Sequence, residues 1–188
     1  TKAEHIIISM ASSTETIEGT IKHLNANGEK YGLIKVRLFR PFSTKHLIEA
    51  LPVSCKSIAV LDRTKEPGAT GEPLYLDVVQ SISNAYQNNI ITTHPRIVGG
   101  RYGLSSKEFS PNMVKAIYDS LKENQLKNNF TIGITDDVSH LSLPFSKDFI
   151  LNSDRHQALF YQEQSSNLDS NHLFFFVRHH QLRHMPTP

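Results

Sequence analysis

The densest group of residues able to do chemistry lies in Leu61–Val79, LDRTKEPGATGEPLYLDVV. Asp62, Arg63, Lys65 and Glu66 fall close together, followed by Pro67, Gly68 and Gly71 and then by Glu72-Pro73. Two cations ahead of flexible glycines and a helix start suit an anion cradle, because backbone N–H groups at a helix N-terminus favour negative charge. The Walker spacing is absent, and Gly68-x-x-Gly71 is not a dinucleotide fingerprint. Glu72 at the helix start would repel an anion. The stretch therefore reads either as an anion site or as a polar loop holding a neighbouring domain or subunit, and the second reading is favoured.

Other reactive residues are sparser. Asp136-Asp137 could bind a metal or act as a base, but neighbours on a strand point to opposite faces, which favours helix capping or interdomain hydrogen bonding. His179, His180 and His184 have helical spacing for a metal, yet no Cys or carboxylate accompanies them, and Pro186 and Pro188 follow. A tail without a site is the favoured reading there. Cys55 is the only cysteine, so this chain cannot supply an internal disulfide, a four-thiolate iron–sulfur cluster or a Cys-rich zinc site. No G-x-S-x-G nucleophile elbow occurs. The residues thus nominate no catalytic group and no metal ligand.

The bulk properties agree with an ordinary globular domain. Of 188 residues, 38% are apolar and 20% charged, enough to build one core. A formal charge of +2 does not argue for nucleic acid. No apolar run approaches the roughly 18 residues of a membrane span. The chain starts at Thr1 and enters a strand almost at once, as a piece cut from a longer protein would.

The elements that must position the loop follow from periodicity. His5–Met10 is a buried strand. Ser12-x-x-Glu15 predicts a capping box and a helix to Asn27, with Ile17, Ile21 and Leu24 on one face and Gly28 as the stop. Leu33–Phe39 reads as a strand, and Ser43 or Thr44 caps a short helix ended by Pro52. Ser57–Leu61 is a strand leading into the opening loop. Pro73 to Asn88 is a helix whose apolar face is Leu76, Val79, Ile82 and Ser83, with proline harmless at its first position. Either Asn89–Thr93 or Arg96–Val98 is the fourth strand, and Gly99-Gly100-Arg101-Tyr102-Gly103 reads as a second glycine-rich turn. Ser110-Pro111 opens a helix to Asn124 with Met113, Ile117 and Leu121 inward, and Phe130–Ile134 is the last strand. This alternation predicts an α/β fold: three layers, a mostly parallel five-stranded sheet with helices on both faces. Right-handed crossovers then gather the loops after each strand on one edge.

Four blocks carry a family resemblance: Val36–Phe42, Ile58–Val78, Gly99–Leu104 with Phe109, and Thr131–Val138 with Leu143-Pro144. In this order they resemble pyruvate:ferredoxin (or flavodoxin) oxidoreductase, over about residues 5 to 161. The matching region is similar to that family's second domain, which is transketolase C-terminal-like. The resemblance implies a domain over 1–135, a connector with the start of the next domain over 136–161, and a non-matching, disordered tail over 162–188. Gln157–Tyr161 resembles the opening of the next domain, but Gln162-Glu-Gln-Ser-Ser166 replaces the family's glycine-rich continuation. A truncated, frame-shifted or aberrantly spliced reading is the expectation for that tail.

The resemblance further implies conversion of pyruvate and CoA to acetyl-CoA and CO2, with electrons passed to ferredoxin or flavodoxin. It implies thiamine diphosphate, Mg and [4Fe–4S] clusters in the parent enzyme, none of them bound by this segment. Its partners would be the other domains of a homodimeric parent enzyme, with neither nucleic acid nor membrane. The location implied is the cytoplasm, or a hydrogenosome- or mitochondrion-related organelle in a eukaryote. Arg63, Lys65, Glu66, Gly68, Gly71 and Arg101 are the candidate interdomain or CoA-proximal residues. The alternative is a non-catalytic scaffold or subunit-binding module, as in sulfite reductase-like fusions.

Overall fold

The run His5–Met10 forms β1, and its centre, Ile6–Ile8, is 0–1% exposed. A strand buried on both faces needs a helical layer on each. The chain supplies them in alternation: α1 Ser13–Ala26, β2 Tyr31–Val36, α2 Thr44–Ala50, β3 Ser57–Asp62, α3 Pro73–Gln87, β4 Arg96–Tyr102, α4 Pro111–Leu121 and β5 Phe130–Ile132. The computed structural model describes residues 2–104, 107–134 and 138–151. Asp136-Asp137, Gln157–Tyr161, the 162–188 tail and its histidines lie outside the described residues.

The five strands are ordered β2-β1-β3-β4-β5, and every pairing is parallel. On one face Ile7, Ala59, Leu61 and Val98 pack with Ile17 and Leu24 of α1 and Ile117 and Tyr118 of α4. On the other Ile6, Ile8, Ile58 and Val60 pack with Leu47 of α2 and Leu74, Val78 and Ile82 of α3. Successive β3 residues feed opposite layers, as a period of two requires. The architecture is the expected three-layer α/β sheet, here wholly parallel.

Several local expectations are corrected. Gly99 to Tyr102 do not form a turn; they lie inside β4. The glycines are there for space, because a Cβ on Gly100 would collide with the Phe130 ring, and one on Gly99 would come within 3.1 Å of the Tyr75 ring. The bend falls at Gly103, with φ +63°. Of the two alternatives for the fourth strand, the one that begins at Arg96 forms, paired opposite Ser57 and running on to Tyr102. Strand β2 runs Tyr31–Val36 instead of Leu33–Phe39, because β1 sets its register from His5↔Tyr31 to Met10↔Val36.

The capping box at Ser12 does not form. Ser12 is already helical (φ −61°, ψ −30°) because the chain turns one residue earlier at Ala11, φ 56°. Thr14 Oγ1 then donates to the Ala11 carbonyl at 2.7 Å, and Ser13 Oγ to that of Met10 at 3.0 Å. Helix α3 buries Leu74, Val78, Ser81, Ile82 and Ala85, so its inward face is rotated from the predicted one and leaves Leu76 37% exposed. Helix α4 stops at Leu121 and β5 at Ile132, just before Gly133 at φ +72°. Beyond β5 the chain returns along its free edge: Thr131 N–H donates to the Leu141 carbonyl (3.1 Å) and Leu143 N–H to that of Thr131 (2.8 Å). That contact covers unpaired strand groups that would otherwise invite association.

Candidate functional site at the carboxyl edge

Because all strands are parallel, the segments after β1, β2, β3 and β4 share one edge. The loop after β3 is fixed at both ends by buried carboxylates. Asp62, the last residue of β3, is 1% exposed. Its Oδ1 accepts from Leu74 N–H (3.0 Å) and its Oδ2 from Tyr75 N–H (3.1 Å). It therefore satisfies the first-turn donors of α3, a role that the N-cap residue Glu72 leaves open. Burial pushes the Asp62 carboxyl above its ordinary range, against the pull of the two backbone N–H groups.

Glu72 holds the other end. Its Oε2 accepts from Glu66 N–H at 2.8 Å, which closes the loop on itself. Its Oε1 accepts from Arg101 Nη1 at 3.0 Å, with side chains only 7% and 15% exposed. Arg101 Nη2 also donates to the Asn129 carbonyl at 3.3 Å, so one guanidinium ties the loop, β4 and the approach to β5 together. The positions an anion would fill are thus occupied by the chain's own carboxylates: Asp62 at the α3 N-terminus, Glu72 at the loop amide. The anion-cradle reading gives way to a clamped loop.

Between the anchors, Arg63 to Thr70 are all exposed. Gly68 sits at φ +84°, where a side chain would be strained. Gly71 is buried under Tyr75, whose Cδ1 would lie 2.5 Å from an added Cβ. Arg63 Nε donates to the Gly103 carbonyl at 3.1 Å, joining the loops after β3 and β4. Of the predicted residues, Arg63, Lys65, Glu66 and Gly68 thus share the exposed tip, Gly71 lies at its base, and Arg101 is held beneath it, facing inward.

Sequence reasoning missed three features. Asp62 was one charge among several, although it anchors a helix twelve residues on. Glu72 was read as a repellent and is the clamp. The segment after β2 also reaches this edge: Arg40 stacks 3.8 Å from the Phe39 ring centroid and forms an ion pair with Asp77 of α3. A shallow cleft of about 240 Å³ opens among Ser12, Thr16, Arg63, Tyr102 and Phe109.

The donor chemistry bears on the cofactors that the sequence resemblance implies. An iron–sulfur cluster needs several thiolates, and the chain has one cysteine. That residue, Cys55, is 6% exposed, and burial pushes its thiol up to about 12. It neither fits a cluster nor suits a nucleophile. Among the described residues no three His, Cys, Asp or Glu side chains converge as metal ligands, and no helix is long and apolar enough to cross a membrane.

Fold and site together define a doubly wound, parallel α/β domain with a clamped loop and an exposed tip at its carboxyl edge. The profile of the family described as pyruvate:ferredoxin oxidoreductase core domain II matches residues 3–105, more than half of the chain. The chain belongs to that family. It is 55% identical over 160 residues to the pyruvate-flavodoxin oxidoreductase of Trichormus variabilis, covering 85% of this chain and 13% of that protein. Against the probable pyruvate-flavodoxin oxidoreductase of Escherichia coli the identity is 53% over 160 residues, 85% of this chain and 14% of the other. With the pyruvate:ferredoxin oxidoreductase of Moorella thermoacetica it is 60% over 141 residues, 75% and 12%. The match therefore spans only 12–14% of the length of these relatives. A solved 2-oxoglutarate:ferredoxin oxidoreductase from Magnetococcus marinus overlaps 64% of this chain and 18% of its own, at TM-score 0.41 and 18% identity, too distant to bear on the site.

Proposed function

We propose that the chain is the second-domain segment of a pyruvate:ferredoxin or pyruvate:flavodoxin oxidoreductase, and that it supports the reaction structurally. The parent enzyme would convert pyruvate and CoA to acetyl-CoA and CO2, and pass the electrons to ferredoxin or flavodoxin. The observation that carries this reading is the 55% identity maintained over 160 residues of a pyruvate-flavodoxin oxidoreductase. Thiamine diphosphate, Mg and the [4Fe–4S] clusters would be held by other domains, because this chain offers one buried thiol and a carboxyl edge whose two buried carboxylates are already bonded to backbone and arginine.

The loop from Arg63 to Gly71, with Arg101 beneath it, would meet another domain or border the path of CoA. Residues 136–161 would lead into the next domain, in an enzyme that works as a homodimer in the cytoplasm.

The test is a chimera. The matching residues of the Trichormus enzyme are replaced by those of this chain, and pyruvate-dependent reduction of flavodoxin is measured. The expected result is turnover by the chimera and none by the 188-residue chain alone. A chimera that assembles with its cofactors but does not turn over would contradict the reading, as would turnover by the isolated chain.

A further inference from the structure

The register of the sheet places one histidine in a chain of hydrogen bonds at the amino edge. His5 opens β1 and lies opposite Tyr31 of β2 and Ser57 of β3. Ser57 is fully buried, and its Oγ donates to the carbonyl of Leu121, the last residue of α4, at 3.1 Å. A hydroxyl has one proton to donate, and a carbonyl has none. With that proton used on Leu121, the 2.7 Å contact between His5 Nδ1 and Ser57 Oγ needs an N–H on the histidine. The neutral ring is therefore the Nδ1–H tautomer, and the next proton goes to Nε2. Arg96 Nη2 of β4 reaches the same Leu121 carbonyl at 3.5 Å, so β1, β3 and β4 all meet the end of α4 here.

A second proton on this ring has no good counter-charge. The half-buried His5 is faced by Lys56 just before β3, Arg96 of β4 and Lys122 just after α4, and by one carboxylate, Glu4, just before its own strand. Glu4 is already bonded to Lys30 and Lys56. Glu29 is bonded to Lys122 at 2.7 Å. From β2 comes the neutral Tyr31 ring, 6.2 Å from that of His5, which stacks on Tyr118 and lies 5.0 Å from Lys122 Nζ. Burial holds the His5 imidazole below its ordinary 6.5; Glu4 opposes the shift, and the three cations add to it. A cation near a helix C-terminus is favoured by the helix dipole. Arg96 already fills that place, with bonds to the carbonyls of Leu121, Glu123 and Asn124.

We propose that His5 is an acid-sensitive latch: neutral, it ties the starts of β1 and β3 to the last turn of α4 through Ser57, and protonated, it adds a fourth cation to this corner and releases that turn. A group held low in the folded state contributes stability that is full above its unfolded value of 6.5 and is lost as pH falls through the folded value.

Long-range 1H–15N spectra of the histidine rings in the 188-residue chain, taken from pH about 8 to about 5, read tautomer and titration together. His5, assigned by its absence in His5→Asn, should be the Nδ1–H form at the upper end and should titrate below 6.5. Amide exchange over the same range, corrected for intrinsic rates, reads the release. The Lys122 and Glu123 N–H groups are bonded to the carbonyls of Asp119 and Ser120 in that last turn. Their protection should fall by up to about tenfold for each pH unit by which His5 is held below its ordinary value, while amides of β3 change little. His5→Asn keeps an N–H close to the Nδ1 position and cannot titrate, so its protection should stay flat. An Nε2–H tautomer, titration at or above 6.5, or the same loss of protection in His5→Asn overturns the latch. Equal loss in β3 also overturns it, because the effect would then belong to the whole fold.

Discussion

The two edges of the sheet treat their charges in opposite ways. At the amino edge the starts of β1, β2, β3 and β4 are cross-tied. Glu4 pairs with Lys30 at 2.7 Å and with Lys56. His5 Nδ1 bonds Ser57 Oγ (2.7 Å), and Ser57 donates onward to the Leu121 carbonyl (3.1 Å). Arg96 binds the carbonyls of Glu123 and Asn124, each at 3.0 Å, just past the end of α4, where a cation complements the helix dipole. At the carboxyl edge the buried bonding gathers in an inner layer of Asp62, Glu72 and Arg101, while the residues from Arg63 to Thr70 are exposed, with Arg63 tied to the Gly103 carbonyl. One edge closes the domain. The other puts a bonded base under an exposed tip.

Breaking the inner layer should cost most. Glu72→Ala leaves the half-buried Arg101 without its carboxylate, and loss of one member of a buried pair destabilises by about 3–5 kcal/mol, the upper bound here. Urea unfolding of the 188-residue chain measures it as a fall in midpoint. Gly100→Ala attacks the strand beneath, where the new methyl meets Phe130, and overpacking of this kind costs about 1–3 kcal/mol by the same assay. Arg63→Ala and Lys65→Ala in the tip should stay within about 0.5 kcal/mol of the parent. A tip variant as costly as Glu72→Ala would erase the distinction between base and tip.

The two edges should also titrate in opposite senses. Lysine bonds lower Glu4 from its usual 4.5 to about 2. Its contribution is therefore present above pH 4.5 and is lost as pH falls toward 2. Asp62 is shifted upward by burial, so its contribution is present below the unfolded carboxylate value of about 3.9 and is lost as pH rises through its folded value. Glu4→Gln should flatten the acid side of the stability–pH curve. Asp62→Asn should remove a decline on the other side. Chemical denaturation at a series of pH values reads both, and slopes of the same sign would refute the contrast.

Much of the fold was legible because the strands are short apolar runs and the helices are punctuated by Pro73, Pro111 and Gly28. Misreadings occurred where a distant partner decides. Gly99 and Gly100 look like a turn until Phe130 and Tyr75 are seen lying over them. The face of α3 is set by Asp62 gripping Leu74, a bond between residues that no local periodicity links. For the site, the sequence marked the correct stretch by its charge density. It could not separate Glu72 and Arg101, which face each other inside, from Arg63 and Lys65, because types and spacing do not record which side chain is buried.

The most direct test of the base-and-tip account is amide hydrogen exchange in the 188-residue chain at neutral pH. The N–H groups of Glu66, Leu74 and Tyr75, bonded to Glu72 and Asp62, should exchange slowly, while that of Lys65 exchanges at the rate of an open loop. A Glu66 amide that exchanges as fast as its neighbour Lys65 would show that the loop is not clamped, and the account would fail.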